Sequence, residues 1–412
     1  MTFTAEETSS VRGQFPALGR QVNGRVAVFF DGPAGSQVPQ VVIDAMGDYL
    51  ACRNANRGGV FATAGESDLA LDEAHAVLAD FLGTSDPACV SFGANMTTLT
   101  LSLSRALAGT WEAGDEILVT DLDHDGNFTP WKLAARDAGV NVRKVNLHAE
   151  DCTLDLDDLR AKLSERTRLI AFCAASNLSG SVTPIGEICR LAREVGALTF
   201  VDAVHYAPHR AIDVEAWGCD FLACSTYKFF GPHVGVMWGR RELLETFSPY
   251  KLRPAPDSLP GRWMTGTQNH EGIVGARAAV DYLASLSGEG DSRRNSLCMA
   301  LVAIEVYENE LSKLFLKGFA ELDDYELFGI GDPARVAERV PTFSFRHKDV
   351  PPREVAERLG QAGIFTWHGN FYAQPVTEAL GLEPEGLVRA GFLHYSTREE
   401  VERLLEEMRR LV

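Results

Sequence analysis

The sequence has no long uninterrupted apolar run and no cysteine pair at CxxC spacing. None of its apolar segments approaches the ~18 residues that a membrane-spanning helix needs. The first residues, MTFTAEETSS, are polar and acidic and lack the apolar core of a secretion signal. The 8 cysteines are scattered, and several lie in apolar segments, where cysteine packs as a small hydrophobic residue. These absences predict a protein of the reducing cytoplasm that does not span a membrane.

Basic residues are scarce relative to acidic ones. The 412 residues include 39 Lys and Arg against 57 Asp and Glu, which gives a net charge of −18. Such a surface repels the phosphates of nucleic acids and of anionic membranes, so we expect neither as a partner. The hydrophobic fraction of 45% and the charged fraction of 23% are ordinary for a soluble globular protein.

Short apolar segments alternate with helical patterns over the first two thirds of the chain. Helical patterns cover 67–82, 96–109, 130–138 and 184–195. Strands that are covered on both faces are predicted at 26–30, 88–92, 116–120, 168–175, 197–204, 220–226 and 234–238. The alternation predicts an α/β fold, with a mostly parallel seven-stranded sheet between layers of helices.

The pattern changes after about residue 280. A polar segment, SLSGEGDSRR at 285–294, is followed by a long helical pattern and by candidate strands at 342–346 and 387–396. We therefore predict a smaller C-terminal α+β domain beside the large one. The predicted parts are an N-terminal segment 1–25 that packs on the small domain, a large domain 26–284 and a small domain 285–412.

Four polar stretches follow predicted strands, at the edge where open α/β sheets bind ligands. They are SFGANMTT at 91–98, DLDHDGN at 121–127, VDAVHYAPH at 201–209 and STYK at 225–228. Taken singly, each has a purely structural explanation. Asp202 can cap a turn, His124 can lie in a surface loop, and Lys228 can extend from a strand end into solvent.

Taken together, the stretches fit a pyridoxal phosphate site. That cofactor needs a lysine for its Schiff base and a carboxylate that keeps its pyridine nitrogen protonated. Lys228 and Asp202, which are 228 − 202 = 26 positions apart, offer both groups. The phosphate requires a helix N-terminus and hydroxyl donors, which GANMTT at 93–98 and Ser225 supply. His124 is available to cover the flat ring.

In order and spacing, these segments resemble class V aminotransferases, and most of all the branch of cysteine desulfurases and selenocysteine lyases. The resemblance implies the PLP-dependent transferase fold type I, a pyridoxal 5'-phosphate cofactor, a small amino-acid substrate and a homodimer that shares its active site across the interface. The six matching segments are DLDHDGNFTPW (121–131), AASNLSGSVTPI (174–185), VDAVHYAPH (201–209), STYKFFGPHVG (225–235), MTGTQNHEGIVGA (264–276) and LVRAGFLHYST (387–397).

The resemblance implies a role for each matched position. Lys228 forms the Schiff base and moves the Cα proton, Asp202 pairs with the pyridinium nitrogen, and His124 stacks on the ring. The other implied cofactor contacts are His205 and Asn177 at the ring oxygen, and Asn95, Met96, Ser225, Tyr227 and, across the dimer interface, Thr267 at the phosphate. At three of these positions the chain departs from the family, which has threonine for Asn95, glutamine for His205 and histidine for Tyr227.

The C-terminal loop GNFYAQPV at 369–376 departs further from the desulfurases. Those enzymes carry a loop cysteine that takes sulfur from the substrate as a persulfide, and Tyr372 occupies its position here. A phenol cannot accept a sulfur atom, so the resemblance does not extend to the persulfide relay. Tyr372, Asn177 and Arg389 are the implied substrate contacts, because the planar guanidinium of Arg389 matches a carboxylate.

These residues predict a PLP-dependent enzyme that removes the Cα proton of cysteine or an S-substituted cysteine and cleaves its C–S bond by β-elimination. The same site also fits transamination, epimerisation or decarboxylative C–C bond formation in a specialised pathway, since fold and cofactor do not choose among them. A non-catalytic scaffold is a further alternative. We predict no metal, because Pro208 disrupts the helix that His205 and His209 would need as paired ligands.

Overall fold

The computed structural model describes residues 5–288 and 290–411, with side chains from residue 7 onward. The large sheet has seven strands: β1 Val90–Gly93, β2 Glu116–Thr120, β3 Asn141–Val145, β4 Thr167–Cys173, β5 Leu198–Asp202, β6 Phe221–Ser225 and β7 Gly235–Gly239. Their order is β1-β7-β6-β5-β4-β2-β3. Six strands run parallel and β7 is antiparallel to both of its neighbours. The predicted α/β class with a mostly parallel seven-stranded sheet is confirmed.

Helices cover both faces of this sheet and continue into the C-terminal part of the chain. The four helices predicted from the sequence are all present, with ends shifted by five residues at most. In the described residues the helices are α1 Ala5–Gly13, α2 Gln40–Asp48, α3 Ala62–Leu82, α4 Met96–Ala108, α5 Thr129–Ala138, α6 Leu156–Lys162, α7 Ile185–Glu194, α8 Val214–Trp217, α9 Arg241–Thr246, α10 His270–Ser285, α11 Arg293–Phe319, α12 Pro352–Gln361, α13 Gln374–Ala379 and α14 Arg398–Arg410.

One segment predicted as a strand of the large sheet lies outside that sheet, and one strand of the large sheet was not predicted. From the segment 26–30, Val28–Phe29 pairs in parallel with Ile364–Phe365 and lies outside the large sheet. The seventh strand is instead β3, which pairs only with β2 at the sheet edge. Asn141 and Lys144 of β3 are exposed. An edge strand needs no continuous apolar run, so its sequence carried no strand signal.

A second, smaller sheet lies in the C-terminal part. Its strands are β8 Tyr325–Phe328, β9 Thr342–His347, β10 Trp367–Gly369 and β11 Leu387–Gly391, in the antiparallel order β8-β9-β11-β10. The predicted strand 387–396 therefore ends early, at Gly391. The smaller C-terminal domain is confirmed, while its boundary at 284/285 stays a prediction. The single helix α11 contributes Leu301 to the large core and Phe315 to the small one.

The N-terminal helix α1 is fixed against the C-terminal part of the chain. The Arg12 guanidinium donates to the Glu400 carboxylate at 2.8 Å and to the carbonyl of Tyr395 at 2.5 Å. Phe15, which follows α1, packs edge-on against Tyr282 of α10, so the N-terminal segment also contacts the large domain; the ring centroids are 5.5 Å apart. In the ranges 5–288 and 290–411, no helix is long and apolar enough to cross a bilayer.

Candidate active site

The polar ends of the parallel strands surround a cavity of about 760 Å³. Strand β5 ends at Asp202, and β6 ends at Ser225 just before Lys228. Ten of the twelve predicted site residues line this cavity: Asn95, Met96, His124, Asn177, Asp202, His205, Ser225, Tyr227, Lys228 and Tyr372. The other two, Arg389 and Thr267, do not line it. The rule that open α/β sheets bind ligands at strand ends therefore located the cavity.

Lys228 is buried at the end of a single helical turn that follows β6. Its ammonium donates to the carbonyl of Pro33 and lies 5.2 Å from the centre of the Tyr227 ring. The pKa of Lys228 is lowered to about 7, mainly by burial and also by the positive charge of Arg389, while Asp202 opposes the shift. A large share of this amine is therefore neutral near pH 7, as a nucleophile or base requires.

Asp202 is a buried carboxylate that faces the same cavity. Its Oδ1 accepts the backbone N–H of Val204 at 2.9 Å. Burial raises the pKa of Asp202 to about 7, while the positive charge of Lys228 acts in the opposite direction. Among the described residues it forms no ion pair within 4.0 Å. A buried carboxylate without a cationic protein partner fits a pyridinium nitrogen.

His124 lies over the cavity as a neutral imidazole. Its Nδ1 accepts the N–H of Gly126 at 2.9 Å, which assigns the ring proton to Nε2. The pKa of His124 is lowered to about 4, mainly by burial and also by the charges of Lys228 and Arg389. The ring stacks on Tyr372, with centroids 5.7 Å apart and planes inclined by 24°.

A buried hydrogen-bond network holds the loop that carries His124. The Asn127 amide donates to Asp123 Oδ1 at 2.7 Å, and Trp131 Nε1 donates to Asn127 Oδ1 at 2.9 Å. Thr120 also donates to the Asp123 carboxyl. The network explains why an acid, an asparagine and a tryptophan accompany the histidine in this segment. The sequence analysis had left these three residues without individual roles.

We expect Asn127→Ala to lower the free energy of unfolding by about 2 kcal/mol, because it leaves buried groups of Asp123 and Trp131 without partners. Urea titration followed by circular dichroism would measure the change. Asn141→Ala, on the exposed edge strand β3, is the matched control and should change stability by less than about 0.5 kcal/mol. Equal urea midpoints for the two variants would show that the network does not stabilise the loop.

The phosphate side of the predicted site is the N-terminus of α4. The Met96 N–H donates to Ser225 Oγ at 2.9 Å. Asn95 caps the helix, since its Oδ1 accepts the N–H of Thr98 at 2.9 Å, and its Nδ2 remains a donor. Tyr227 stacks on His233, with centroids 4.8 Å apart, and both rings line the cavity. A helix N-terminus with an amide and a hydroxyl is a donor set that fits a phosphate.

His205 and Asn177, which are predicted to contact the ring oxygen of the cofactor, each form a side-chain hydrogen bond within the protein. His205 Nε2 lies 2.8 Å from Thr342 Oγ1, and burial lowers the pKa of His205 well below its usual value. Asn177 Nδ2 donates to the carbonyl of Phe371 at 2.9 Å. Its Oδ1 is buried and has no hydrogen-bond partner among the described residues. Asn177 therefore joins the cavity to the C-terminal loop.

His209, the other histidine considered as a metal ligand, points to a different partner. Its Nδ1 lies 2.8 Å from the carboxyl of Glu308, and both side chains are buried. Burial lowers the pKa of His209 to about 3 and raises that of Glu308 well above its usual value. No group of three or more His, Cys, Asp or Glu side chains placed to hold a metal occurs in the described ranges.

Arg389 and Thr267 lie next to the cavity rather than on its wall. Arg389 is buried in β11 and donates from Nη1 to the carbonyl of Asn177 at 2.7 Å. Burial lowers the pKa of Arg389 to about 9, and the nearby carboxylate of Asp31 opposes the shift. Thr267 lines a separate cavity of about 390 Å³ beside Gly93 and Ala94. Its predicted contact with a phosphate in the partner subunit stays a prediction.

The sequence analysis missed the segment DGPAGS at 31–36. The carbonyl of Pro33 accepts the Lys228 ammonium, and the charge of Asp31 acts on Arg389. The Ser36 N–H also donates to the carbonyl of Tyr227 at 3.0 Å. The sequence pattern could have indicated this segment, because it is polar and directly follows the apolar run VAVFF. The four polar stretches selected in the sequence analysis follow predicted strands in the same way.

Comparison with known proteins agrees with this site. Residues 28–404 match the model of the family Aminotransferase class-V. This chain belongs to that family. A probable cysteine desulfurase of Streptomyces coelicolor is 32% identical, over 97% of this chain and 96% of that protein. A cysteine desulfurase of Pectobacterium carotovorum is 30% identical over 97% of both chains. The apo structure of a cysteine desulfurase from Thermococcus onnurineus superposes with a TM-score of 0.88, at 27% identity over 98% of both chains.

This class-V aminotransferase is therefore a PLP-dependent enzyme, as its sequence predicted. The cavity fits the cofactor, since it combines a buried amine of lowered pKa, a buried carboxyl that forms no ion pair within 4.0 Å among the described residues, and a helix N-terminus. The individual roles assigned to the twelve site residues, Lys228 and Asp202 included, stay predictions.

Proposed function

We propose that this class-V aminotransferase cleaves the C–S bond of cysteine or an S-substituted cysteine by β-elimination, without a persulfide relay on its C-terminal loop. The observation that carries the proposal is the group at the cavity mouth. Tyr372 lies there and is 74% exposed, where a relay would require a thiol. The cysteine desulfurases to which the chain is similar support cysteine or a related compound as substrate.

The cysteine inside the cavity is not suited to the relay. Among the described residues, Cys173 is the cysteine that lines the cavity, and it is buried. Its thiol donates to the carbonyl of Leu122 at 3.3 Å. Burial raises the pKa of Cys173 well above its usual value, and the carboxyls of Asp123 and Asp202 raise it further. A protonated thiol is a poor nucleophile, which supports elimination without sulfur capture by the protein.

The residues of the cavity would hold the cofactor in a defined orientation. Pyridoxal phosphate, when bound, supplies a carbonyl for the substrate amine and a ring that withdraws electrons from Cα. Asp202 would face the ring nitrogen, and His124 would cover the ring. Lys228 would supply the covalent link. The phosphate contacts would come from Asn95, Met96, Ser225 and Tyr227, and the ring-oxygen contacts from His205 and Asn177.

The proton transfer is assigned to Lys228. Its neutral amine accepts the proton from Cα, and the electron pair left at Cα forms a double bond to Cβ as the Cβ–S bond breaks. The sulfur atom leaves with the bonding pair and takes up a proton as a thiol or sulfide. The three-carbon enamine that remains hydrolyses to pyruvate and ammonia. No oxidant, reductant or second substrate is needed.

Substrate orientation is assigned to the C-terminal part of the site. The buried guanidinium of Arg389 would bind the α-carboxylate, because a buried charge is stabilised by an opposite charge that forms hydrogen bonds with it. Asn177 bridges Arg389 and the C-terminal loop through its carbonyl and its amide. Tyr372 stacks on His124 and would contact the substituent on sulfur.

Product analysis tests the proposed reaction. We expect the holoenzyme to release pyruvate and a thiol in equal amounts from S-substituted cysteines, as measured by a coupled dehydrogenase assay and a thiol reagent. Tyr372→Cys is the matched variant and is tested with cysteine itself, whose sulfur carries no substituent. A protein-bound persulfide in that variant alone would show that the relay needs only the missing thiol. If the pyridoxamine form of the cofactor accumulated and no pyruvate formed, the reaction would be transamination and not elimination.

We further propose that the protein is a homodimer with Thr267 directed at the partner subunit's site. In support, Thr267 does not line the Lys228 cavity of its own chain. Leu252, which lines a cavity together with Thr267, is 67% exposed, as an apolar residue of an interface would be in one isolated chain. A fully active protein whose mass in sedimentation equilibrium is that of a monomer would contradict the proposed dimer. Location in the cytoplasm stays a prediction.

A further inference from the structure

Phe371 covers the guanidinium that the proposed function assigns to the substrate carboxylate. The centre of the Phe371 ring lies 4.3 Å from Arg389 Cζ. Arg389 is only 4% exposed and does not line the cavity. One of its terminal nitrogens already donates to the carbonyl of Asn177. Phe371 and the Asn177 carbonyl therefore occupy one face and one terminal nitrogen of the guanidinium, which a bound carboxylate would otherwise be free to approach.

The loop that carries Phe371 is held down by two hydrogen bonds from the cavity wall. Asn177 Nδ2 donates to the carbonyl of Phe371 at 2.9 Å, and the Asp125 N–H donates to the carbonyl of Tyr372 at 2.6 Å. The same two loop residues have φ angles of 58° and 56°, in the left-handed region that favours glycine. Two consecutive aromatic residues in this region are strained, so the loop keeps this shape through its contacts.

Asn177 couples the loop to the guanidinium. Its amide nitrogen binds the loop, its backbone carbonyl binds Arg389, and its Oδ1 is buried without a partner among the described residues. A movement of Phe371 would therefore release the Asn177 amide at the same time as it uncovers Arg389. Both groups would then be free to bind a substrate.

We propose that Phe371 determines substrate affinity by competing with the α-carboxylate for Arg389, so that a substrate must displace the 369–373 loop before it binds. The inference rests on the proposed role of Arg389. Binding then requires the displaced form of the loop, and the apparent dissociation constant rises as that form becomes rarer. A substitution that removes the aromatic face should therefore tighten binding.

Calorimetric titration with 3-mercaptopropionate tests the inference. This probe has the carboxylate and thiol of cysteine but no amine, so binding is measured without turnover. We expect Phe371→Leu to lower the dissociation constant of the holoenzyme by about 2- to 30-fold, the range that corresponds to loss of one cation–π contact. Phe371→Tyr, which keeps the aromatic face, is the matched control and should bind as the wild type does.

Hydrogen exchange supplies a second measurement. The N–H of Ala373 donates to the carbonyl of Asn370 at 2.8 Å, and the N–H of Tyr372 donates to Asn370 Oδ1 at 3.1 Å. We expect saturating probe to speed exchange in a peptide that covers 369–373. Unchanged or weaker binding by Phe371→Leu, or slower exchange with the probe, would overturn the inference.

Arg389→Lys separates the two proposals. If it weakens binding of the probe while Phe371→Leu leaves binding unchanged, Arg389 binds the carboxylate but Phe371 does not compete for it. If Arg389→Lys leaves binding unchanged, the carboxylate site itself is wrong, and the role of Phe371 falls with it.

Discussion

Lys228→Ala is expected to abolish turnover, with a loss of about 10²–10⁴-fold or more, because the substitution removes both the amine that binds the cofactor and the base that accepts the Cα proton. The buried position of Lys228 and its pKa of about 7 make this amine distinct from a surface lysine. Borohydride treatment followed by peptide mass spectrometry should find the reduced cofactor on the peptide that contains residue 228.

Lys132→Ala is the matched control for this experiment. Lys132 is an exposed lysine on α5, and its ammonium lies 5.0 Å from the centre of the Phe128 ring. The control should keep both turnover and the reduced adduct at residue 228. If Lys228→Ala retained activity or the adduct appeared on another lysine, the assignment of Lys228 would be wrong.

Asp202→Asn is expected to lower kcat by about 10²–10³-fold, the usual effect of removing one electrostatic contact to a developing charge. Asparagine keeps the size of the side chain and an oxygen that accepts the Val204 N–H. It lacks the negative charge that would keep a pyridine nitrogen protonated, so electron withdrawal from Cα weakens. Single-turnover kinetics with a saturating S-substituted cysteine would measure the loss.

The control for Asp202 is Asp332→Asn. Asp332 caps a short helical turn outside the cavity, and asparagine is an equally good cap, so activity and stability should not change. Retained cofactor with reduced kcat in Asp202→Asn would match the proposed role. An unchanged kcat would show that another group carries the charge at the ring nitrogen.

Predictions from local sequence succeeded where a single strand or helix decides the position of a residue. Asp202 closes a buried parallel strand and Lys228 lies just after the neighbouring one, so the sheet alone brings them to the same edge. His124 follows β2 in the same way. For such residues the hydrophobic pattern and the chain order are sufficient, because parallel strands place their carboxyl ends side by side.

Predictions were incomplete where the contact joins distant segments. Pro33 meets Lys228 across 195 positions, and Asn177 meets Phe371 across 194. Val28–Phe29 pairs with Ile364–Phe365, although its apolar run resembles a strand of the large sheet. In each of these cases the local sequence of one partner does not indicate the distant contact. The acceptors in the two hydrogen bonds are backbone carbonyls, which every residue has, so no residue type marks them in the sequence.

The amino-acid sequence by itself determined the α/β class, the family, the cofactor chemistry and the residues at the strand ends. Hydrophobic periodicity sets each strand and helix, and a lysine and an acid at neighbouring strand ends suit pyridoxal phosphate. The family followed from the six segments that resemble class V aminotransferases. Only the tertiary structure decided the lowered pKa of Lys228, the raised pKa of Cys173 and the contact of the Phe371 ring with Arg389. These properties depend on burial and on contacts between segments far apart in the chain, which arise only when the chain is folded.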